Sequence, residues 1–269
     1  MDSQTPSYLL HVGDADRERL EVLANIYNPG SQDFLRRQLA IPVSTLIDLG
    51  CGHGQMTCWM AKEFSQARVF GLDHSDEQLA ICEQNQVAQD VPNVTFLRHD
   101  VLAPAQGIPE ADAVYCRYVL LHLREWDTFF SNALALCKPG GSLLIEEPGF
   151  PFFCYPRHEA LDRANILGQT LTSRMGLRFD CIDPLWGYVH ALEGVRVKDY
   201  SFSQPILTTR YQKSLLWRSF AQIHQPLISM GLCTVQEADS IIGQLAYIGS
   251  DPLHVVGTLR MVQLHLEKV

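Results

Sequence analysis

The sequence predicts a doubly wound α/β protein, a mostly parallel sheet with helices on both faces, and three observations carry that reading. Short apolar runs alternate with helical segments through the middle of the chain, several of these runs end on an acidic residue, and the first is followed by three glycines in five positions. Strands joined through helices pair by right-handed crossovers and build parallel sheets.

Taken in order, "DADRERLEVLANIY" places Leu20, Leu23, Ile26 and Tyr27 at the three-and-four spacing of an amphipathic helix. Asn28, Pro29 and Gly30 are expected to break it, with a second short helix over 31–39. "STLIDLG" reads as a strand buried on both faces. "ARVFGLD" and "NVTFLRHD" are strands ending in Asp73 and Asp100, with the helical "DEQLAICEQNQVAQ" between them. "ADAVYCRYVL" begins a fourth strand, "EWDTFFSNALALC" is a helix, and "KPGGSLLIEEP" is a turn entering a fifth. Beyond Pro148 the alternation weakens. Helices are expected over "HEALDRANILGQTLTSRM", over "DPLWGYVHALEG" with Pro184 in its first turn, around 211–230 and over 235–248. "VRVKDYSFSQPIL" and "HVVGTLRMVQLHLE" read as single strands. The expected organisation is an N-terminal helical lid (1–40), an α/β domain (41–208 and 250–269) and an inserted helical cap (209–249).

Bulk properties narrow the function. With 46% apolar and 19% charged residues the chain can build a core. A net charge of −9, with basic residues scattered, leaves no stripe for a phosphate backbone, so nucleic acid is not expected as a partner. No apolar run is long enough for a membrane span and "MDSQTPSYLL" lacks a signal-peptide pattern, so no membrane is expected and the reading is cytoplasmic. The eight cysteines contain no C-x-x-C pair, and no metal site is expected.

The chemistry sits at the strand ends. Gly50, Gly52 and Gly54 follow the first strand and precede a helix, so backbone turns tightly there and a ligand can lie against it. Gln55 stands where a dinucleotide fingerprint needs glycine, and a P-loop's lysine is absent. Asp48 before the turn repels phosphate but suits an ammonium group. Asp73 is placed to accept hydrogen bonds from ribose hydroxyls. Asp100 can accept from an exocyclic amine while Val101 packs on a purine. An adenosine joined to an amino acid satisfies all three acids.

The motifs "LIDLGCGHG", "GLDHS", "RHDVL" and "ALCKPGGSLLIEEP" resemble, in order, those of class I S-adenosylmethionine-dependent methyltransferases, and "CRYVLLHLREW" is similar to small-molecule members of the ubiquinone-biosynthesis type. The resemblance covers about 46–148. It implies a seven-stranded, mostly parallel Rossmann-like sheet and S-adenosyl-L-methionine as cofactor. It implies cofactor contacts from Asp48, Gly50, Gly52 and Gly54; from Asp73, His74 and Gln78; from Asp100 and Val101; and from Arg117. A closing N-terminal helix adds Tyr8. The acceptor is expected to be a small, partly apolar or aromatic molecule, methylated on O, N or C, because Phe150, Phe152, Phe153 and Tyr155 crowd one loop and Trp186, Tyr188 and Trp217 follow. His122 and Glu147 are the catalytic candidates, with Glu146 and His158 also at the sheet edge. The same fold can instead use the bound cation for decarboxylation or cyclisation, or serve as a non-catalytic subunit. An exposed apolar cap helix can support a homodimer.

Overall fold

The computed structural model describes residues 16–39 and 42–269. Helix α1 (Arg17–Gln38) leads into β1 (Thr45–Leu49), α2 (Gln55–Glu63), β2 (Arg68–Asp73), α3 (Asp76–Gln89), β3 (Val94–Arg98) and β4 (Ala111–Arg117). A 3-10 turn (Leu120–His122) precedes α4 (Trp126–Leu136) and β5 (Cys137–Gly149), followed by β6 (Phe153–Tyr155), α5 (Glu159–Arg174), α6 (Ile182–Ala191), β7 (Val195–Ser203) and β8 (Ile206–Leu207). The chain closes with α7 (Arg210–Lys213), α8 (Leu215–Ser229), α9 (Val235–Ser250), β9 (Val255–Gly257) and β10 (Arg260–Lys268).

Seven strands form the main sheet in the order β3-β2-β1-β4-β5-β10-β7. Only β10 runs antiparallel to its neighbours. Strand order reverses between β1 and β4, which opens the crevice where such sheets bind ligands. Side-chain alternation explains why β1 is buried throughout. Leu46 enters one hydrophobic cluster with Met60 and Phe34, while Ile47 and Leu49 enter another with Phe129 and Leu185 on the opposite face. Each such side chain contributes about 1.5–3 kcal/mol on burial.

A third cluster joins the first half of α1 (Val22, Ile26, Tyr27) to α5, α8, α9 and β9. Helices α8 and α9, inside the expected 209–249 insertion, thus pack in one cluster with α1 and α5. A second sheet of three short strands, β6-β9-β8, contributes Cys154, Val256 and Leu207 to the same cluster.

Three sequence expectations need correction. Pro29 does not break the first helix: α1 runs unbroken from Arg17 to Gln38. Proline inside a helix costs about 3 kcal/mol, but Pro29 and Asn25, whose carbonyl loses its partner, both face solvent. Ile26 and Tyr27 before the proline and Phe34 and Leu35 after it are anchored in two different clusters, and that burial outweighs the cost. The last strand is also not continuous. At Thr258 and Leu259 the chain crosses from the small sheet to the main one, and Thr258 N–H donates to the Pro205 carbonyl at 3.0 Å. The same crossing splits "VRVKDYSFSQPIL" into β7 and β8 at Pro205, which has no N–H to donate to a ladder. No described helix is long and apolar enough to cross a membrane.

Candidate functional site

At the carboxyl end of β1 the backbone becomes left-handed at three glycines, with φ of 70° at Gly50, 56° at Gly52 and 70° at Gly54. Side chains disfavour this region. At Gly50 a Cβ would also come within 2.7 Å of Val119, so neither the turn nor the packing behind it tolerates a substituent. Gly54 caps α2 with no side-chain cap, leaving the helix's first N–H groups available. Gly52 N–H donates to Asp73 Oδ2 at 3.0 Å, and Ser75 N–H donates to Asp73 Oδ1 at 3.0 Å. The carboxylate ending β2 thus holds the glycine turn and the start of α3 in fixed register.

Asp48 is 3% exposed and accepts a hydrogen bond from Thr57 Oγ1 at 2.6 Å. Burial raises its pKa to about 6, against the opposing effects of Thr57 and the Arg117 cation. Burial likewise raises Asp73, which is 7% exposed. Two desolvated carboxyls thus flank the turn, and a cation placed there would favour their ionised forms. His74 is exposed, with Nδ1 3.5 Å from Asp73 Oδ1. Asp100 is also exposed, and its Oδ1 accepts from Leu102 N–H at 2.9 Å.

Arg117, the last residue of β4, donates to Ser31 Oγ and to Asn28 Oδ1 at 2.8 Å each. It straps α1 across the sheet edge. Burial alone would lower its pKa, but Tyr115, Glu146 and other acidic neighbours outweigh that and hold it above its ordinary value. Tyr118 follows with φ 59°, a left-handed conformation unusual for a tyrosine, and its ring meets Tyr27 edge-on at 5.5 Å. His122 is half-buried against Phe179, with ring centroids 5.5 Å apart. Burial, then the nearby Arg19 and His74, lower its pKa to about 3, so the imidazole is neutral at pH 7.

These elements enclose one cavity of about 400 Å³. Its lining includes Asp48, Gly50, Gly52, Asp73, His74, Gln78, Asp100, Val101, Arg117 and His122, so ten of the residues predicted from sequence converge on one space. Beyond Tyr118 and His122 the walls become apolar, formed by Leu23 and Tyr27 of α1, Phe150 and Phe152, Leu161 and Ala164 of α5, and Leu216, Phe220 and Ile223 of α8. Asn165 fixes the loop at this end, accepting from Phe152 N–H and donating to its carbonyl.

Other predicted residues are placed elsewhere. Gly54 lies behind the wall, against Phe96 and Cys82. Glu147, expected as a catalytic candidate, is fully buried and not part of the lining. Its Oε1 accepts from the N–H groups of Val119 and Leu120 at 2.8 Å each, and desolvation raises its pKa to about 8. It anchors the 3-10 turn that carries His122. Glu146 accepts from the Tyr115 hydroxyl at 2.6 Å beneath α1, and His158 caps α5. Among the aromatics, Trp186 meets Tyr200 edge-on, Tyr188 packs tilted on Phe130 and Trp217 lies beneath Arg218, none of them in the cavity lining. Tyr8 lies outside the described residues. Sequence reasoning missed Tyr27, Tyr118, Phe179 and the particular α8 side chains, Leu216, Phe220 and Ile223, although it expected the inserted helices to help build the pocket. Only the aromatic type of the first three hinted at them, because no local pattern signals contacts between segments a hundred residues apart.

A doubly wound sheet with a three-glycine turn, Asp48 and Asp73 at the ends of β1 and β2 and Asp100 just after β3 offers a site whose shape and charge suit a nucleoside carrying positive charge. Comparison narrows this. Residues 46–141 match the family described as Methyltransferase domain. A trans-aconitate 2-methyltransferase of Azoarcus sp. is 32% identical over 118 residues, 44% of each chain. Methyltransferase str3 of Strobilurus tenacellus is 33% identical over 170 residues, 60% of this chain and 54% of the relative. The chain thus spans about half the length of the curated relatives it matches. The solved structure of BH2331 from Bacillus halodurans C-125 superposes with a TM-score of 0.60 over 88% of this chain and 97% of that one, at 12% identity, a likeness of fold alone. Through residues 46–141 the chain is thus similar to the methyltransferase domain family, and the relatives it matches over part of their length carry methyltransferase names.

Proposed function

We propose that this protein is an S-adenosylmethionine-dependent methyltransferase that transfers a methyl group to an O, N or C atom of a small, partly apolar or aromatic metabolite. One observation carries the reading: a single cavity joins the acidic glycine turn to an apolar chamber, with Tyr118 and His122 at the junction. The residues suit the cofactor. The bare backbone at Gly50 leaves no room for a side chain, Asp48 offers negative charge to an ammonium group, and Asp73 offers carboxylate lone pairs to ribose hydroxyls. Asp100 and Val101 are assigned to the adenine end, with His74 and Gln78 beside the ribose. When bound, S-adenosylmethionine supplies a methyl group already activated on a sulfonium.

The chain's own residues then have two tasks, to align the acceptor and to exclude water. The apolar walls and the α1 strap held by Arg117 serve both. His122 is the proposed proton acceptor: its neutral imidazole has a lone pair to offer, and its low pKa makes it a weak base. That suits an acceptor with an acidic proton or none to lose. Glu147 positions His122 by holding the turn that bears it.

A polyanionic acceptor such as trans-aconitate fits this chamber poorly. The cations lining the cavity, Arg19 and Arg117, are already engaged, Arg19 by Asp16 and Arg117 by Ser31 and Asn28, while Asp48, Asp73 and Asp100 in the same lining add negative charge. The test is incubation with methyl-labelled cofactor and a metabolite extract. Label in apolar small molecules supports the proposal, whereas label in RNA, in protein or in polycarboxylates overturns it. His122→Ala should lower turnover by about 10²–10⁴-fold if the imidazole accepts a proton, and unchanged turnover removes that role.

A further inference from the structure

Gly168 stands in the interior of α5 and is buried, and ordinary reasons for a helical glycine do not apply to it. It is not among the glycines with positive φ, so the backbone makes no demand for glycine. Nor does close packing: a Cβ there would meet Ile223 Cδ1 and Phe150 Cζ at 3.7 Å each, ordinary van der Waals contact. Glycine within a helix lowers stability relative to alanine. The position therefore carries a cost that neither conformation nor packing explains.

Its location supplies the reason. Gly168, Phe150 and Ile223 all line the apolar chamber. A side chain longer than a methyl group at position 168 would project between Phe150 and Ile223 into that space. We propose that Gly168 is a specificity-determining residue, and that the bulk of an uncharged, predominantly apolar acceptor occupies the volume beside it. This inference deepens the methyltransferase reading and rests on it for the word acceptor, but the space itself is testable without turnover. The helical glycine Gly243 in α9 is a natural control, since it is exposed and a Cβ there meets nothing within 4 Å.

The experiment compares the wild-type chain with Gly168→Ala, Gly168→Leu and Gly243→Leu. It uses fluorescence titration with the uncharged probe N-phenyl-1-naphthylamine, calorimetry with S-adenosylhomocysteine, and thermal unfolding. Gly168→Ala should keep or raise the unfolding midpoint. Gly168→Leu should weaken probe binding by about tenfold or more while S-adenosylhomocysteine affinity stays within about twofold, and Gly243→Leu should bind the probe as wild type does. A folded Gly168→Leu that binds the probe normally overturns the proposal, as does a wild-type chain that does not bind it. Should Gly168→Leu fail to fold, Gly168→Val replaces it with the same expected direction. Loss of S-adenosylhomocysteine binding in the wild type would sink the methyltransferase reading and leave the chamber result standing.

Discussion

The two ends of the cavity are built by different means. The end proposed to hold the cofactor rests on backbone: left-handed glycines, N–H groups at the start of α2, and carboxylates at or just after three successive strand ends. The end proposed to hold the acceptor consists of side chains from α1, the β5–β6 loop, α5 and α8, interchangeable in type and set only by how those segments pack. The first end demands particular residues at particular positions, so substitutions there should be severe and specific. The second demands hydrophobicity and volume, so it can be reshaped without losing the cofactor.

The sharpest break in this comparison is Gly50→Val. A left-handed conformation costs a side chain roughly 1–2 kcal/mol, and the clash with Val119 adds about 1–3 kcal/mol. Equilibrium denaturation should show that loss, and calorimetry should show cofactor binding abolished. Next is Asp73→Ala, which removes the acceptor for ribose and releases Gly52 and Ser75. It should weaken S-adenosylmethionine binding by about 1–3 kcal/mol, and unchanged affinity would remove the assignment.

The effect of pH is smaller and comes from Asp48. Its folded pKa of about 6 lies above the ordinary carboxylate value, so in the ligand-free protein the ionised form is the costly one. This residue's contribution therefore favours the fold at low pH and falls as pH rises from the ordinary value to about 6. A bound ammonium needs the ionised form, which gives affinity the opposite trend. S-adenosylmethionine binding measured at pH 5 should be about tenfold weaker than at pH 7, and Asp48→Asn should flatten that slope. The mildest change is Ile223→Val in the chamber, expected to lower stability by about 0.5–1.5 kcal/mol and leave cofactor affinity unaltered in the same titration.

The same contrast explains what could be read from the chain. Asp48, Asp73, Asp100 and the glycine turn are legible because each follows directly on a strand whose apolar run is visible, and the chemistry follows from position. Pro29 misled because a strong local breaker was overridden by anchors in two separate clusters, which no window of sequence contains. Glu147 misled differently: its residue type suits a base, but both neighbouring glutamates on β5 are buried and only the fold shows which groups they serve. Trp186, Tyr188 and Trp217 were expected in the pocket on aromatic density, yet they pack elsewhere. Aromatic rings cover many kinds of surface, and density alone does not say which. Tyr118 was missed because its left-handed backbone and its contact with Tyr27 arise only once α1 lies across the sheet edge.

The central claim, that the glycine turn and its carboxylates receive a cationic amino-acid nucleoside, is tested most directly by calorimetric titration of the purified chain with S-adenosylmethionine, S-adenosylhomocysteine and NAD. The account predicts that the first two bind at a single site and that NAD does not. Binding of NAD with no heat from either S-adenosyl compound would contradict it.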